Sequence, residues 1–492
     1  LRQLAWQQPE NPYQLISVLS DDQIEAIHEA SLKILEEIGI AFLLEEARAI
    51  LKKAGADVCE SDDVVRMDRA MVLEAISHAP SSFNIHARNP AHTIRIGGRY
   101  SAFALVGSPP NVSDLEGGRR RGNCKDFCDL IRLGQFFNAI HIIGGYPVEP
   151  IDLPPATRHL DALRHTAILS DKVFHAYSLG KKRNHDGLEI ARIARGIDEA
   201  QMLREPSLLT IINTSSPLRL DRPMLRGIIE MARRNQVTVI TPFTLSGAMA
   251  PVTIAGALAQ QNAEALAGIA FAQLVKPGAP VIYGGFTSNV DMRTGAPAFG
   301  TPEYAQATLA SGQLARRYQL PFRTSNVNAS NAPDGQSVWE SMMSLWSALM
   351  GGGHFIKHAA GWIEGGLCAS FEKLVIDVEL LQMMTRFLEP FKVDEATLGL
   401  DAIAEVGQGG HFFGAAHTMA RYRTAFYEPI LADWQNFENW SDAGAMDATV
   451  RAHKLYKDAL AEYQQPAMDP AIREELDAFV ERRKREGGAD EE

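Results

Sequence analysis

A chain of 492 residues, 46% hydrophobic and 22% charged, has the composition of a large folded core. Its formal net charge of −12 argues against nucleic acid as the main partner. No apolar run reaches the ~18 residues of a membrane span, and the polar, proline-bearing start Leu1–Tyr13 lacks the order of a secretory signal, so no membrane role and a cytoplasmic location are expected.

In chain order, residues 21 to 79 read as helices. Asp21-Asp22-Gln23-Ile24 offers an N-cap, and Ile24, Ile27, Ala30, Ile34 and Ile38 recur at helical spacing. From Ser82 to Gly107, alternations such as Thr93-Ile94-Arg95-Ile96 and the turn signal Gly97-Gly98 predict a hairpin leading into a first core strand. One theme then repeats: a short apolar, β-branched run ends in a small polar residue or glycine, and a helical pattern follows. The runs are 102–106, 140–146, 173–177, 208–213, 237–243, 281–286, 322–327 and 355–359. The helices are 125–137, 155–169, 186–200, 221–234, 254–274, 302–318, 335–350 and 371–387. Cys124 and Cys128 stand four apart at the start of the first of these helices. No matching Cys or His pair lies nearby in sequence, so they are expected to be structural, and no metal site is expected. With Cys59 and Cys368 they are too scattered for a disulfide framework.

Eight strands alternating with eight helices predict an α/β fold, a (β/α)₈ TIM barrel, because eight parallel strands close a barrel. An open doubly wound sheet is the alternative, weakened by the lack of a Gly-x-Gly-x-x-Gly turn after any strand. The expected organisation is an N-terminal helical extension and hairpin (1–98), the barrel (99–390), and a C-terminal helical cap with a charged tail (391–492). Within that cap, Gly407–Gly414 is a glycine-rich loop carrying His411, Phe412 and Phe413. The stretch from Arg482 to Glu492 reads as a solvated tail.

Barrel sites form where the strands end. Those ends are rich in hydroxyls, amides and aromatics, and poor in charge apart from Glu364 and Asp291. They lack the Lys/Arg cluster that a phosphate would call for. His354 and His358 would lie ~13 Å apart along one strand and could not share a metal. His358, at the mouth, is a candidate ligand contact, whereas His354 reads as structural. His411 and His417 flank the glycine-rich loop and either close over the site or order the loop. No carboxylate pair or Ser/His/Asp order stands out. Such a mouth suits a reaction whose leaving group is already activated. Methyl transfer from a quaternary ammonium is one, since it asks for aromatic faces around the cation and alignment of one methyl. Tyr177, Phe243, Phe286, Trp362, Phe412 and Phe413 are the candidate box, although Phe243 and Phe286 could equally fill the barrel interior.

The residues also resemble a known family. Gly284-Gly285-Phe286-Thr287 through Ser325–Gln336, the Gly-x-x-Glu-Gly-Gly pattern at Gly361–Gly366, and Gly409-Gly410-His411-Phe412 with His417-Thr418 resemble the trimethylamine methyltransferase superfamily. So do Arg2-Gln3-Leu4, Asn11-Pro12-Tyr13 and the stretch 32–39. Founding members carry pyrrolysine ahead of a Pro-Asp motif, and the corresponding position here is Ala332, before Pro333-Asp334. The resemblance therefore implies the pyrrolysine-free branch, similar to glycine betaine methyltransferases, and disfavours trimethylamine as substrate. It implies a cobalamin (corrinoid) whose Co(I) takes the methyl group, carried by a partner protein because this chain has no Asp-x-His-x-x-Gly segment. A homo-oligomer is expected. A betaine carboxylate would need donors, for which Asn289, Asn326, Asn328, Asn331 and His358 are candidates. Three alternatives remain: a pterin acceptor, a non-catalytic betaine-binding barrel, and an unrelated barrel lyase or hydrolase working through Glu364.

Overall fold

The computed structural model describes residues 1–59 and 61–489. Among them, eight parallel strands form the barrel: β1 (Ala102–Leu105), β2 (Ile142–Ile143), β3 (Val173–Phe174), β4 (Leu209–Asn213), β5 (Val237–Thr241), β6 (Val281–Gly284), β7 (Phe322–Ser325) and β8 (Phe355–Ala360). Each pairs with the next, β8 returns to β1, and a bridge from His175 to Leu209 closes β3 against β4. Helices follow the strands: α1 (Cys124–Phe136), α2 (Arg158–Leu169), α3 (Lys181–Arg195), α4 (Arg222–Arg233), α5 (Ile254–Val275), α6 (Pro302–Arg317), α7 (Gly335–Met350) and α8 (Phe371–Phe387).

Local chemistry sets these boundaries. Asp221 and Thr301 cap α4 and α6 with side-chain oxygens, each with a proline just inside the helix. Helix α3 begins at Lys181, five residues before the sequence-predicted Asp186, directly behind Gly180, whose φ of 90° lets the chain turn. Helix α5 is buried nearly all round, packed between the barrel and the N-terminal helices Asp21–Lys33 and Arg69–Ser77. No helix among the described residues is long and apolar enough to cross a membrane.

Alternation along the strands sorts the core into layers. Outward residues such as Phe103, Ile240, Tyr283 and Ile356 pack under the helices. Inward residues such as Ala104, Ile142, Leu209, Val239 and Phe355 form an apolar plug with Ile85, Ile94 and Ile96 of the hairpin Ser82–Ile85/Ile94–Gly97. The hairpin therefore seals one end of the barrel, and the interior above the plug opens toward the strand C-termini.

Two expectations are corrected, the all-helical reading of residues 21–79 and the solvated reading of the charged end. Residues 21–79 are not all helical: strands Ile40–Phe42, Asp57–Val58 and Val64–Arg66 form a small sheet with Arg219–Leu220, and Ser20, not Asp21, caps the first helix. The C-terminal helices Ala448–Glu462 and Pro470–Arg485 pack on the flank of the barrel, against α8 and α1 and against α2 and α3. The charged end is docked as far as Ala489. Arg483 pairs with Asp186 at 2.6 Å, Lys484 with Asp161 at 2.5 Å, and the Ala489 N–H donates to the Ala156 carbonyl. Residues 490–492 of the expected tail lie outside the described residues. Between α8 and these helices, Phe391, Phe413 and Phe426 are each more than four-fifths exposed.

Candidate active site

Larger hollows lie on the outer surface, including a groove of about 930 Å³ along α7. The cavity that meets the strand C-termini holds about 350 Å³ and draws side chains from every quarter of the barrel. Its walls are of two kinds.

One side is aromatic. Phe243 and Phe286 stack with ring centroids 5.0 Å apart, and Phe299 lies 5.7 Å from Phe286. Trp362 follows at 5.3 Å from Phe299 and stacks on the His358 ring at 5.2 Å. Tyr177 stands beside His175 at 4.7 Å, its hydroxyl 2.7 Å from Ser108 Oγ. Gly366 permits this packing, because a Cβ there would come within 2.6 Å of the Trp362 ring.

The other side is cationic. Arg323 on β7 and Lys357 on β8 occupy inward positions one layer above the apolar plug, and both line the cavity. The Lys357 ammonium donates to the Gly144 carbonyl at 2.6 Å. Arg323 reaches the Gly285 carbonyl only at 3.4 Å, leaves Nε without a partner, and lies 5.1 Å over the Phe286 ring. No Asp or Glu lines the cavity among the described residues. Burial pushes the Arg323 guanidinium down to about 10, and burial together with the Arg323 charge pushes Lys357 well below the ordinary lysine range.

His358 faces the same space although it adjoins Lys357. A register irregularity in the β8–β1 pairing and a left-handed φ of 56° break the alternation and turn both side chains inward. Its Nδ1 accepts from the Gly107 N–H at 3.3 Å, which places the proton of the neutral ring on Nε2. His175 has the opposite arrangement, with Nε2 accepting from the Ile211 N–H and Nδ1 donating to the Gly144 carbonyl. Burial and the adjacent cations hold both rings neutral.

The structure thus brings together Tyr177, Phe243, Phe286, His358 and Trp362 of the sequence candidates. It does not bring the others to the cavity. Asn326 donates to the Ala359 carbonyl and Asn328 to Ser341, tying β7 to its neighbours, while Asn289 accepts from Thr301. Asn331 and Ala332 are exposed on the turn ahead of α7. Glu364 turns outward to Arg119 at 2.9 Å. His411, Phe412 and Phe413 are exposed, and among the described residues none after Gly366 lines the cavity, because the segment that carries them is not folded over the mouth. His417 bonds the Ala396 carbonyl, a loop-ordering role, and His354 accepts from the Phe322 N–H.

Sequence reasoning missed Phe299, Arg323 and Lys357. Phe299 sits in a loop without periodicity. The two cations had a signal, a charge inside a strand that is otherwise buried. In space, His165 from α2 stands beside Cys124 and Cys128 on α1, their ligand atoms all within 4.8 Å of one another. Burial raises both thiols, Cys128 to about 12.

The family described as trimethylamine methyltransferase (MTTB) matches residues 1–488. The chain belongs to the trimethylamine methyltransferase family. Glycine betaine methyltransferase of Desulfitobacterium hafniense (strain Y51) is 36% identical over 473 residues, covering 96% of this chain and 98% of that protein. Trimethylamine methyltransferase MttB of Methanosarcina barkeri is 29% identical over 479 residues, covering 95% of each. A solved structure, the hydroxylamine complex of MtmB, aligns over 91% of this chain and 95% of its own at 10% identity, with a TM-score of 0.47.

Proposed function

We propose that this methyltransferase takes a methyl group from a quaternary amine of the betaine class, glycine betaine foremost, and passes it to a reduced corrinoid carried by a separate protein. The observation that carries the reading is the aromatic wall of Phe243, Phe286, Phe299 and Trp362 around a small cavity at the strand ends. Aromatic faces attract a quaternary ammonium without hydrogen bonds, which that group cannot make. At about 350 Å³ the cavity lies at the small end for ligand sites and suits a betaine, not a corrinoid ring. The cofactor therefore fits as something presented from outside, where it would supply the Co(I) nucleophile.

The chain's own residues hold the ammonium and present one methyl toward the mouth, which makes the attack effectively intramolecular. The C–N bond breaks with its electron pair staying on nitrogen, and the amine leaves neutral. No general acid is needed, in keeping with His175 and His358 being held as neutral rings. Ala332 carries no electrophile to capture a neutral methylamine, which argues against trimethylamine as donor.

The test is a demethylation assay with reduced corrinoid protein and a panel of glycine betaine, proline betaine, carnitine and trimethylamine. Methyl loss from a betaine and none from trimethylamine is expected. Failure across the panel would overturn the reading, and turnover with a pterin in place of the corrinoid protein would overturn the acceptor.

A further inference from the structure

We propose that Arg323 and Lys357 form the subsite for the carboxylate of the methyl donor, so that the cavity reads a zwitterion and not a quaternary ammonium alone. The inference rests on the methyl-donor reading above and adds to it the anionic half of the substrate.

Both side chains are at least nine-tenths buried, with Arg323 3% and Lys357 4% exposed. They come from neighbouring strands and converge on one space. Their hydrogen bonds go to backbone carbonyls alone, and Arg323 Nε has none. A buried cation normally sits beside a carboxylate, because desolvation without a counter-charge is expensive. Among the described residues no Asp or Glu supplies one here. A purely structural pair would have been cheaper as neutral residues, so the missing anion is assigned to the ligand.

Other features point the same way. The buried Thr241 hydroxyl lines the cavity and lacks a partner, and His358 offers its Nε2 proton to the same space. Gly107 keeps room beside the lysine, since a Cβ there would stand 3.0 Å from Nζ. The guanidinium carbon lies only 5.1 Å from the Phe286 centroid, so the anion-binding and ammonium-binding groups share one short span. That span suits a donor whose two charges are one carbon apart. Choline or tetramethylammonium would instead place a further cation beside the unneutralised Arg323 guanidinium and oppose protonation of Lys357.

Calorimetric titration of the purified protein tests this without corrinoid or turnover. Glycine betaine should bind at least about 30-fold more tightly than choline, the size expected of a buried charge pair. Arg323→Gln should bring that ratio to within about threefold, and Lys357→Met should reduce it in the same direction. Arg323→Lys and thermal melts show whether a variant is folded, and the wild-type comparison of the two ligands needs no variant. Equal binding of choline and glycine betaine, no binding of either, or an undiminished preference in a folded Arg323→Gln protein would each overturn the subsite. Methyl transfer that proceeds equally from choline would sink the subsite and leave the transfer reading standing. Tight, selective betaine binding without methyl transfer would do the reverse.

Discussion

The aromatic wall and the cationic floor of the cavity differ in what the fold gains from them. Phe286, Phe299 and Trp362 belong to the hydrophobic core and would stabilise the barrel whether or not anything bound there. Arg323 and Lys357 are buried as deeply but face no carboxylate among the described residues, so they cost the barrel stability. One half of the site is an extension of the packing, and the other opposes it. On the proposal above, the ligand's carboxylate offsets that cost.

Neutralising the floor should have the largest effect. Arg323→Met with Lys357→Met should lower kcat/KM for glycine betaine by roughly 30- to 5,000-fold, since removing a partner from a buried charge pair costs ~2–5 kcal/mol. The same variant should melt at higher temperature, because exchanging buried charges for apolar side chains often stabilises by ~1–4 kcal/mol. A lower melting temperature together with unchanged kcat/KM would make the cations structural.

A change in the wall should act differently. Phe286→Leu keeps an apolar filler and removes a π face, so affinity should fall about tenfold for glycine betaine and choline alike, matching the ~0.5–2 kcal/mol of a cation–π contact. A loss confined to glycine betaine would mean that the wall also reads the carboxylate.

Protonation offers a smaller signature. Burial and Arg323 hold Lys357 well below the ordinary lysine range, and a bound carboxylate would raise it. The charged and titratable groups facing the same cavity are Arg323 from β7, His175 and Tyr177 from the end of β3, and its neighbour His358, with no Asp or Glu among the described residues lining it. Between the free and bound pKa values, binding should take up a proton, and affinity should fall as pH rises through the bound-state value. Calorimetry in buffers of different ionisation heat should detect the uptake in the wild type, and Lys357→Met should abolish it. The smallest effect belongs to the rim. Glu364→Gln removes a pair with a half-exposed arginine, so betaine affinity should change by less than about fivefold.

The barrel was legible because its signal is repetition, and all eight predicted strands lie where the runs placed them. The aromatic wall was legible in part, since Phe243, Phe286 and Trp362 follow the strand ends in the chain. Phe299 was not, because it is delivered by a loop whose path depends on the pairing of Thr287–Val290 with Pro297–Ala298. The floor was missed for another reason. Attention to the strand ends passes over charges inside strands, yet Ile356 packs outward under the helices, so the adjacent Lys357 points inward, and Arg323 follows outward-facing Phe322 in the same way. The cysteine pair shows the same limit, since His165 comes from the neighbouring helix and no spacing in the chain announces it. His411, Phe412 and Phe413 looked like a closing loop by composition, but nothing local in the chain decides where such a segment docks.

On this proposal one cavity holds both ends of a betaine. A crystal structure with glycine betaine tests it most directly. The carboxylate is expected against Arg323 and Lys357, with the trimethylammonium among Phe243, Phe286, Phe299 and Trp362. A ligand bound the other way round, or outside the barrel mouth, would contradict it.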